Sequence, residues 1–271
     1  KLISNKNHDT LRIVSFNVRM WTDLADKDNF DRVLGVVKEL NPDVLVMQEV
    51  NNWDKTYSVY TSLEYNTIAA SCITNDPPFG VVIFAKNCSV IGSYGARFKN
   101  QRLPSRELCF VRLDLQVNSI PLAIYGTHLE VDQVTSKESM ENVRALQLKE
   151  ILSDTQILSH NHIIIAGDFN SVREKDYNYE LAKRKVWDMV RQRFNAYGIS
   201  LEPHVLALLE QDGYRSSFEV LNWNGPKYTA WAGLVLDFIF FSRNFSKSII
   251  GSYVYYTDIS DHLPIIVDIH K

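Results

Sequence analysis

Five short polar clusters each end or interrupt an apolar run of this sequence. They are Ser15-Phe16-Asn17, Gln48-Glu49, Thr127-His128, Gly167-Asp168-Phe169-Asn170 and Ser260-Asp261-His262. A buried strand that ends in Asn, Glu, His or Asp presents those groups at one edge of a sheet, where loops normally carry function. The five clusters together therefore predict a single site.

The residue types in these clusters suit the cleavage of a phosphate ester. Such a reaction needs charge neutralisation on the phosphoryl oxygens, an activated nucleophile and a stabilised leaving oxygen. Glu49 is the strongest metal-ligand candidate, because a carboxylate at the end of an apolar run would otherwise be poorly placed against a core. Hard oxygen ligands of this kind suit Mg²⁺ or Mn²⁺. The Asn17 amide can bind a phosphate oxygen or a metal-bound water without adding charge.

Two further groups of residues extend the candidate set. Asp168 and Asn170 flank Phe169, so the alternation turns both polar side chains to one side. Asp237 is the odd acid in an aromatic strand, where an unpaired carboxylate would be costly to bury. An imidazole with a carboxylate partner, such as His262, is kept in a defined tautomer and becomes a better base or cation.

The elements that must position these groups can be read from apolar periodicity. The patterns predict strands at 11–18, 44–50, 65–70, 80–85, 108–117, 121–126, 162–168, 234–241, 252–256 and 263–269. They predict helices at 29–40 and 136–157, with Asn41-Pro42-Asp43 ending the first. Residues 176–211 form a charged, mostly helical insertion, either a surface addition or a part that helps choose the substrate, and Gly213 ends it.

One domain spanning residues 1–271 is expected, with residues 1–10 as a flexible lead-in, because no repeat, linker or low-complexity tract interrupts the chain. Strands outnumber helices and several connect as hairpins. The predicted fold class is therefore α/β (α+β), with two mixed β-sheets packed face to face and helices outside.

In this order, the clusters resemble the endonuclease/exonuclease/phosphatase superfamily, whose fold is that of deoxyribonuclease I. The resemblance runs from about Leu11 to Ile269 and implies a four-layer α/β/β/α sandwich. It also implies roles for the individual residues. Metal ligands are implied to be Glu49, Asp261 and Asn17; phosphate-binding residues are Asn17, Asn170 and His128; and catalytic residues are Asp168, His262, His128, Asn170 and Asp237.

Within these implied roles, Asp168 orients or deprotonates the attacking water, and Asp237 pairs with His262. One position departs from the pattern. Many relatives, notably the abasic-site endonucleases, carry an acid two residues after the Asn that corresponds to Asn17, whereas this chain has Arg19. The departure weakens an abasic-site assignment and argues against a second acidic ligand there.

Charge limits the kind of nucleic acid that the protein could grip. The formal net charge is −3, whereas proteins that hold long nucleic acid usually show a basic stripe. A local basic stretch does occur, and it is either a solvated loop or a phosphate-facing arm beside the site. Its members are Arg97, Lys99, Arg102, Arg106 and Arg112.

Three cysteines, an odd number without metal-ligand spacing, favour reduced buried thiols over a disulfide framework. This favours an intracellular location. No apolar run approaches the roughly 20 residues that span a bilayer. The sequence begins with Lys1, so N-terminal processing or a lost targeting segment is left open.

The resulting hypothesis is a Mg²⁺- or Mn²⁺-dependent phosphodiesterase, a monomer, that acts by metal-assisted attack of water on nucleic acid or on an adduct at its end. The resemblance includes the tyrosyl-DNA phosphodiesterases, through Gln48-Glu49-Val50 and Thr127-His128-Leu129-Glu130. The alternative is a phospholipid-directed hydrolase, either a sphingomyelinase or a phosphoinositide phosphatase. Leu234-Val235-Leu236-Asp237 lacks the Trp-Cys-Asp-Arg motif of the inositol 5-phosphatases, which argues against that subfamily. Rim aromatics could stack on bases, contact lipid or simply pack: Trp21, Trp53, Trp223, Tyr228 and Trp231.

Overall fold

The structure is a computed structural model that describes residues 6–75, 78–101, 107–131, 140–160, 162–177, 181–196, 204–221, 228–245 and 248–271. The strands within these ranges are β1 (Thr10–Asn17), β2 (Val44–Val50), β3 (Thr67–Ser71), β4 (Gly80–Ala85), β5 (Ser89–Arg97), β6 (Cys109–Val117), β7 (Ile120–His128), β8 (Ile163–Asp168), β9 (Arg215–Ser216), β10 (Asp237–Phe241), β11 (Ile249–Val254) and β12 (Ile265–His270). The α-helices are α1 (Phe30–Leu40), α2 (Trp53–Ser62), α3 (Met140–Thr155), α4 (Leu181–Ala196), α5 (His204–Gln211) and α6 (Ser217–Val220).

The strands form two six-stranded mixed sheets. The first has the order β11-β12-β1-β2-β4-β3, and the second has the order β5-β6-β7-β8-β10-β9. Each sheet contains one parallel pair near its centre, β1 with β2 in the first and β7 with β8 in the second. The carboxyl ends of these four strands therefore provide the sheet edges where polar side chains can converge.

Alternation along β1 shows how the layers are built. Leu11 and Ile13 belong to the apolar core that the two sheets share, whereas Val14 and Phe16 belong to a second core together with residues of α1 and α2. The second sheet is covered by α3, because Asp154 of this helix accepts a hydrogen bond from Tyr125 of β7 at 2.7 Å and Leu148 is buried. The predicted four-layer α/β/β/α sandwich is confirmed.

The two sheets approach most tightly at Gly126 in β7. A Cβ atom at this position would lie 2.8 Å from Val46 Cγ1 and 3.0 Å from Val81 Cγ1, both on the opposite sheet. Real Cβ atoms rarely make contacts this short, so a larger residue here would force the facing valines to move. The site-bearing ends of β2 and β7 are thereby held close together.

Most predicted elements are present within a few residues of their expected bounds, but α2, β5, β9 and α6 were not predicted. Asn52 caps α2 by accepting a hydrogen bond from the Lys55 backbone N–H at 2.9 Å. The helix is rich in aromatic and hydroxyl residues and lacks a clear apolar stripe. β5 is an edge strand that is exposed along most of its length, so it lacks the buried alternation by which strands are recognised.

The predicted helical insertion at 176–211 contains α4 and α5, which have different environments. α5 buries Val205, Leu206 and Leu209 in an apolar cluster that includes residues of β8 and β10, so this part of the segment is integral to the fold and is not a surface addition. On α4, Trp187 stacks on Tyr177 with ring centroids 5.6 Å apart. Gly213 has a φ of +85° just beyond α5, as expected for a residue that ends a helix.

A disulfide links the two sheets, and the prediction of three reduced thiols is wrong for this pair. Cys72 follows β3 in the first sheet, Cys109 begins β6 in the second, and their Cα atoms are 6.1 Å apart. Sequence spacing gave no sign of this bond, because the partners are 37 residues apart and meet only when the sheets pack. Cys88 is a free thiol. The intracellular location was inferred from reduced thiols, so the disulfide removes that argument.

No helix in the described part of the chain is both long enough and apolar enough to cross a membrane.

Candidate active site

The predicted site residues meet at one end of the sandwich. Asn17 and Glu49 stand at the carboxyl ends of the parallel strands β1 and β2, while His128 and Asp168 end the parallel strands β7 and β8. Asp237 begins β10, which runs antiparallel to β8, so it lies directly opposite Asp168. Sheet topology therefore gathers residues from both sheets at one place.

Asp168 is the centre of the arrangement. Its Oδ2 atom lies 3.1 Å from Asn17 Nδ2, 3.6 Å from His128 Nε2 and 3.6 Å from His262 Nε2. Its Oδ1 atom accepts the backbone N–H of Asn170 at 2.9 Å. Asp168 is almost completely buried. A single carboxylate thus contacts an amide and two imidazoles, which is an arrangement that can hold and move a proton.

Backbone conformation places both key carboxylates. Gly167, just before Asp168, has a φ of +152°, and a Cβ atom there would lie 1.9 Å from the carbonyl oxygen of Thr127, so only glycine fits. Glu49 has a φ of +56° within an irregularity of the pairing between Met47 and Val50. The bulge turns the Glu49 carboxylate out of the core, where 17% of the side chain is exposed.

His262 and Asp237 form a hydrogen-bonded pair. Asp237 Oδ2 lies 2.9 Å from His262 Nδ1, which is the pairing that the family resemblance implied. The other ring nitrogen, Nε2, is left on the side of Asp168. Both residues are buried, so the imidazole is held in one orientation.

Burial and neighbouring charges shift the pKa values of His262 and Asp168. Burial disfavours the charged form of His262, but the carboxylates of Asp237 and Asp168 outweigh it and raise the pKa of His262 to about 10. Burial raises the pKa of Asp168 above its usual value; the charge of Asp237 adds to this effect, and His262 and His128 oppose it. A cationic imidazole beside a carboxylate of raised pKa is typical of catalytic sites.

Asn17 acts as a donor between two acids. Its Nδ2 atom lies 3.1 Å from Glu49 Oε1 and 3.1 Å from Asp168 Oδ2, and its Oδ1 atom accepts the Arg19 backbone N–H at 3.0 Å. In this arrangement the Asn17 amide sets the distance between Glu49 and Asp168. Its predicted role as a ligand stays a prediction.

Asn170 and His128 form a second polar pair beside Asp168. Asn170 Nδ2 lies 3.0 Å from His128 Nε2 and 2.9 Å from the carbonyl oxygen of Leu129. Asn170 has a φ of +48°, a conformation in which Asn is common. Both side chains line the cavity, where a phosphoryl group would meet them.

Asp261 has different surroundings. It lines the same cavity, but its Oδ2 atom is 3.4 Å from Arg19 Nε. It belongs to neither of the two groups whose ligand atoms all lie within 4.8 Å of one another, which are Glu49, His128 and Asp168, and Asp168, Asp237 and His262.

The first of these groups fits a divalent cation. Glu49 and Asp168 bring two carboxylate oxygens to the same amide nitrogen, and two like charges at this separation repel unless a cation lies near. His128 Nε2 is 3.9 Å from Glu49 Oε1. Two carboxylates with room for water and a phosphate oxygen are the environment in which proteins usually hold Mg²⁺.

An open cavity of about 130 Å³ lies over these groups. Its polar lining includes Glu49, Asp168 and His262, and its rim includes the indole of Trp231, which is 50% exposed. Of the other aromatic residues considered for the rim, Trp21 is buried in the core of the first sheet. Trp223 lies outside the described residues.

Two positioning residues were not assigned a role from the sequence. Ser260 donates to the carbonyl oxygen of Asn17 at 2.9 Å and accepts the backbone N–H of His262 at 3.3 Å, which ties β1 to the segment before β12. The hydroxyl oxygen of Thr229 accepts the backbone N–H groups of Leu236 and Asp237. The only signal for Ser260 was its place in the Ser-Asp-His cluster, and Thr229 gave none.

Comparison with known proteins identifies the family. The sequence model of the Endonuclease/Exonuclease/phosphatase family matches residues 14–262, a range that contains every predicted site residue. The chain therefore belongs to the Endonuclease/Exonuclease/phosphatase family, and the predicted superfamily is confirmed. No curated protein matches the sequence.

Solved structures share the fold at low sequence identity. D. rerio TDP2 in complex with a single-strand DNA product superposes with a TM-score of 0.67 at 16% identity, over 97% of this chain and 99% of that one. The human Nocturnin catalytic domain with a bound sulfate anion gives 0.65 at 19% identity, over 96% and 93% of the two chains. An endonuclease/exonuclease/phosphatase from Beutenbergia cavernae gives 0.68 at 13% identity, over 97% and 72%.

Proposed function

We propose that the protein is a divalent-cation-dependent phosphodiesterase that acts on nucleic acid or on an adduct at a nucleic-acid end. The observation that carries this proposal is the convergence on Asp168 Oδ2, which lies within 3.6 Å of two imidazoles and 3.1 Å from the Asn17 amide. Hydrolysis of a phosphate ester needs a group that orients water beside groups that bind the phosphoryl oxygens, and this arrangement supplies both.

Each residue has a part in the proposed reaction. Asp168 orients the attacking water and accepts its proton. Asn170 and His128 bind the phosphoryl group from the cavity wall. His262, oriented by Asp237, donates from Nε2 to the phosphoryl oxygen on its side and stabilises the charge that develops there.

Glu49, with Asp168 and His128 beside it, would hold Mg²⁺ or Mn²⁺. When bound, the cation would neutralise charge on the phosphoryl oxygens. Both are hard cations that accept carboxylate and water ligands, so the proposed site suits either one.

Two observations favour a nucleic-acid end over a long duplex. Arg112 is largely buried and pairs with Asp154 at 2.6 Å, and the exposed Arg97 pairs with Glu107 at 2.7 Å, so a carboxylate already offsets each of these two charges. Arg102 and Arg106 lie outside the described residues. In addition, D. rerio TDP2 has been solved with a single-strand DNA product, and ANGEL2, a 2′,3′-cyclic phosphatase with a TM-score of 0.66, with adenosine-2′,3′-vanadate.

A substrate panel tests the proposal. Wild type and Asp168→Asn would be assayed with Mg²⁺ on single- and double-stranded oligonucleotides, 5′-tyrosyl oligonucleotides, adenosine 2′,3′-cyclic phosphate, phosphoinositides and sphingomyelin. We expect wild type alone to cleave an oligonucleotide or its end adduct. Cleavage confined to the lipids would replace this proposal with the phospholipid hydrolase, and no cleavage of any substrate would contradict both.

A further inference from the structure

A strained turn follows β1 directly and leads into the site. Arg19, Met20 and Trp21 are consecutive non-glycine residues with φ values of 47°, 55° and 63°. A left-handed residue of this kind is strained and persists only where the surroundings fix it, often at functional sites. Trp21 is buried, and its backbone N–H donates to the carbonyl oxygen of Val18 at 2.9 Å, so the turn is anchored.

The turn directs both ends of Arg19 at site residues. Its backbone N–H donates to Asn17 Oδ1 at 3.0 Å, which fixes the amide whose nitrogen lies between Glu49 and Asp168. Its guanidinium lies 3.4 Å from Asp261 Oδ2, and Asp261 lines the cavity. The guanidinium also reaches Asp26, but that carboxylate is 82% exposed and contributes little.

The carboxylates of the site therefore fall into two kinds. Glu49 and Asp168 lie in the group that fits a divalent cation. Asp261 lies outside both such groups and has an arginine as its ionic partner. An arginine is always charged and remains in place without exchange, so it compensates a carboxylate as a second metal ion would.

We propose that Arg19 supplies the fixed second positive charge of this site, so that the protein binds one divalent cation, in the Glu49 group, and Asp261 is not a metal ligand. Arg19 is a positioning residue in this proposal, which rests on the proposed function. Without the guanidinium, Asp261 would lose its ion-pair partner at the cavity wall and would attract a second cation.

Counting bound Mn²⁺ without substrate tests this directly, by electron paramagnetic resonance and calorimetry on the whole protein. Wild type should bind one Mn²⁺, and Asp261→Asn should bind one with unchanged affinity. Arg19→Ala should gain a second, weaker site, and the double variant with Asp261→Asn should lose it again. Arg19→Lys, which keeps the charge, should bind one. Arg32→Ala is the matched control, because Arg32 pairs with Asp258 and Asp23 away from the cavity lining.

Two results would overturn the proposal even if Arg19→Ala fails to fold. One is a stoichiometry of two Mn²⁺ in wild type. The other is a loss of Mn²⁺ affinity of roughly tenfold or more in Asp261→Asn, the range expected once a group that supports the metal is removed. One Mn²⁺ in both wild type and Arg19→Ala, with hydrolysis intact, would remove this inference alone. Absence of Mn²⁺ binding in wild type would remove the metal-dependent function as well.

Discussion

Asp237 and Asp168 face each other across the antiparallel strands β10 and β8, and the imidazole of His262 contacts both. His262 Nδ1 is 2.9 Å from Asp237, and Nε2 is 3.6 Å from Asp168. Asp237 therefore orients the ring through Nδ1, and Asp168 lies beside the other ring nitrogen, Nε2. This places Asp237 as the partner of His262, as the family resemblance implied, while the role of Asp168 stays a prediction.

The first prediction concerns the His262–Asp237 pair. Asp237→Asn should lower kcat chiefly through His262, because it removes the negative charge that favours the cationic ring and its fixed orientation. The double variant with His262→Ala should then be little worse than His262→Ala alone, since residues that act as a unit give non-additive losses. Steady-state kinetics of the four proteins give the answer. Losses that multiply fully would mean that Asp237 acts independently of His262.

The second prediction concerns Asp168. Asp168→Asn keeps the shape of the side chain but removes the acceptor for the proton of water, so kcat should fall by roughly 10²–10⁴-fold. The hydrogen bond from Asn17 Nδ2 to Oδ2 would also depend on the amide orientation. Single-turnover rates at saturating metal separate chemistry from binding. A near-normal rate would show that another group positions the water.

The third prediction concerns metal dependence. Hydrolysis should stop in excess chelator and return with Mg²⁺ or Mn²⁺, and Glu49→Ala should lose at least about 100-fold in metal affinity, because a direct ligand matters more than its supports. Stability should change by about 0.5 kcal/mol or less, since the carboxylate lies at the cavity. Glu64→Ala, which removes an exposed carboxylate, is the control. Full turnover in chelator would contradict a metal mechanism.

The buried parts of the fold could be predicted from the sequence, whereas its exposed parts could not. β2 and β4 have the expected bounds, because an apolar run buried on both faces leaves little choice. β5 and α2 were missed because exposure removes the periodic pattern. Strand β9, which forms the other edge of the second sheet, is two residues long and carries no periodic pattern.

The candidate site could be predicted as a set of residues, but of its contacts only the Asp237–His262 pair was expected. Polar residues at the ends of apolar runs identified Asn17, Glu49, His128 and Asp168, since strand ends converge at a sheet edge. The contact between Arg19 and Asp261 joins residues far apart in the chain, and it depends on a strained turn that no periodicity reveals. The Cys72–Cys109 disulfide is hidden for the same reason, because it forms only when the sheets meet.

The fourth prediction concerns this disulfide. Unfolded, non-reduced protein should contain one titratable thiol, that of Cys88, and reduction should raise the count to three. In the native state that thiol should react slowly, because burial raises the pKa of Cys88 to about 11. Replacing Cys72 and Cys109 by Ser should lower the free energy of unfolding by about 2–4 kcal/mol. Three thiols in the oxidised protein would contradict the bond.

The last prediction concerns acid stability and the cluster around Glu219. Burial disfavours its charged form, but Arg173 and Lys175 outweigh it and lower the pKa of Glu219 from 4.5 to about 2. Arg173 Nη1 lies 3.4 Å from its Oε2 atom, and Lys175 pairs with Oε1. Because the pKa is lower in the folded state, the carboxylate stabilises the fold fully above pH 4.5, and this contribution is lost as the pH falls towards about 2.

Glu219→Gln should therefore be less stable than wild type at neutral pH by on the order of 2 kcal/mol, allowing for partial solvent screening. The difference in the free energy of unfolding should shrink as the pH falls from 4.5 towards about 2. In this range wild type loses the contribution of the Glu219 charge, which the variant never had. Urea unfolding at a series of pH values measures both curves, with Glu64→Gln as an exposed control. A difference that stays constant from neutral to acidic pH would show that Glu219 contributes through packing and hydrogen bonding to Ser216 rather than through its charge.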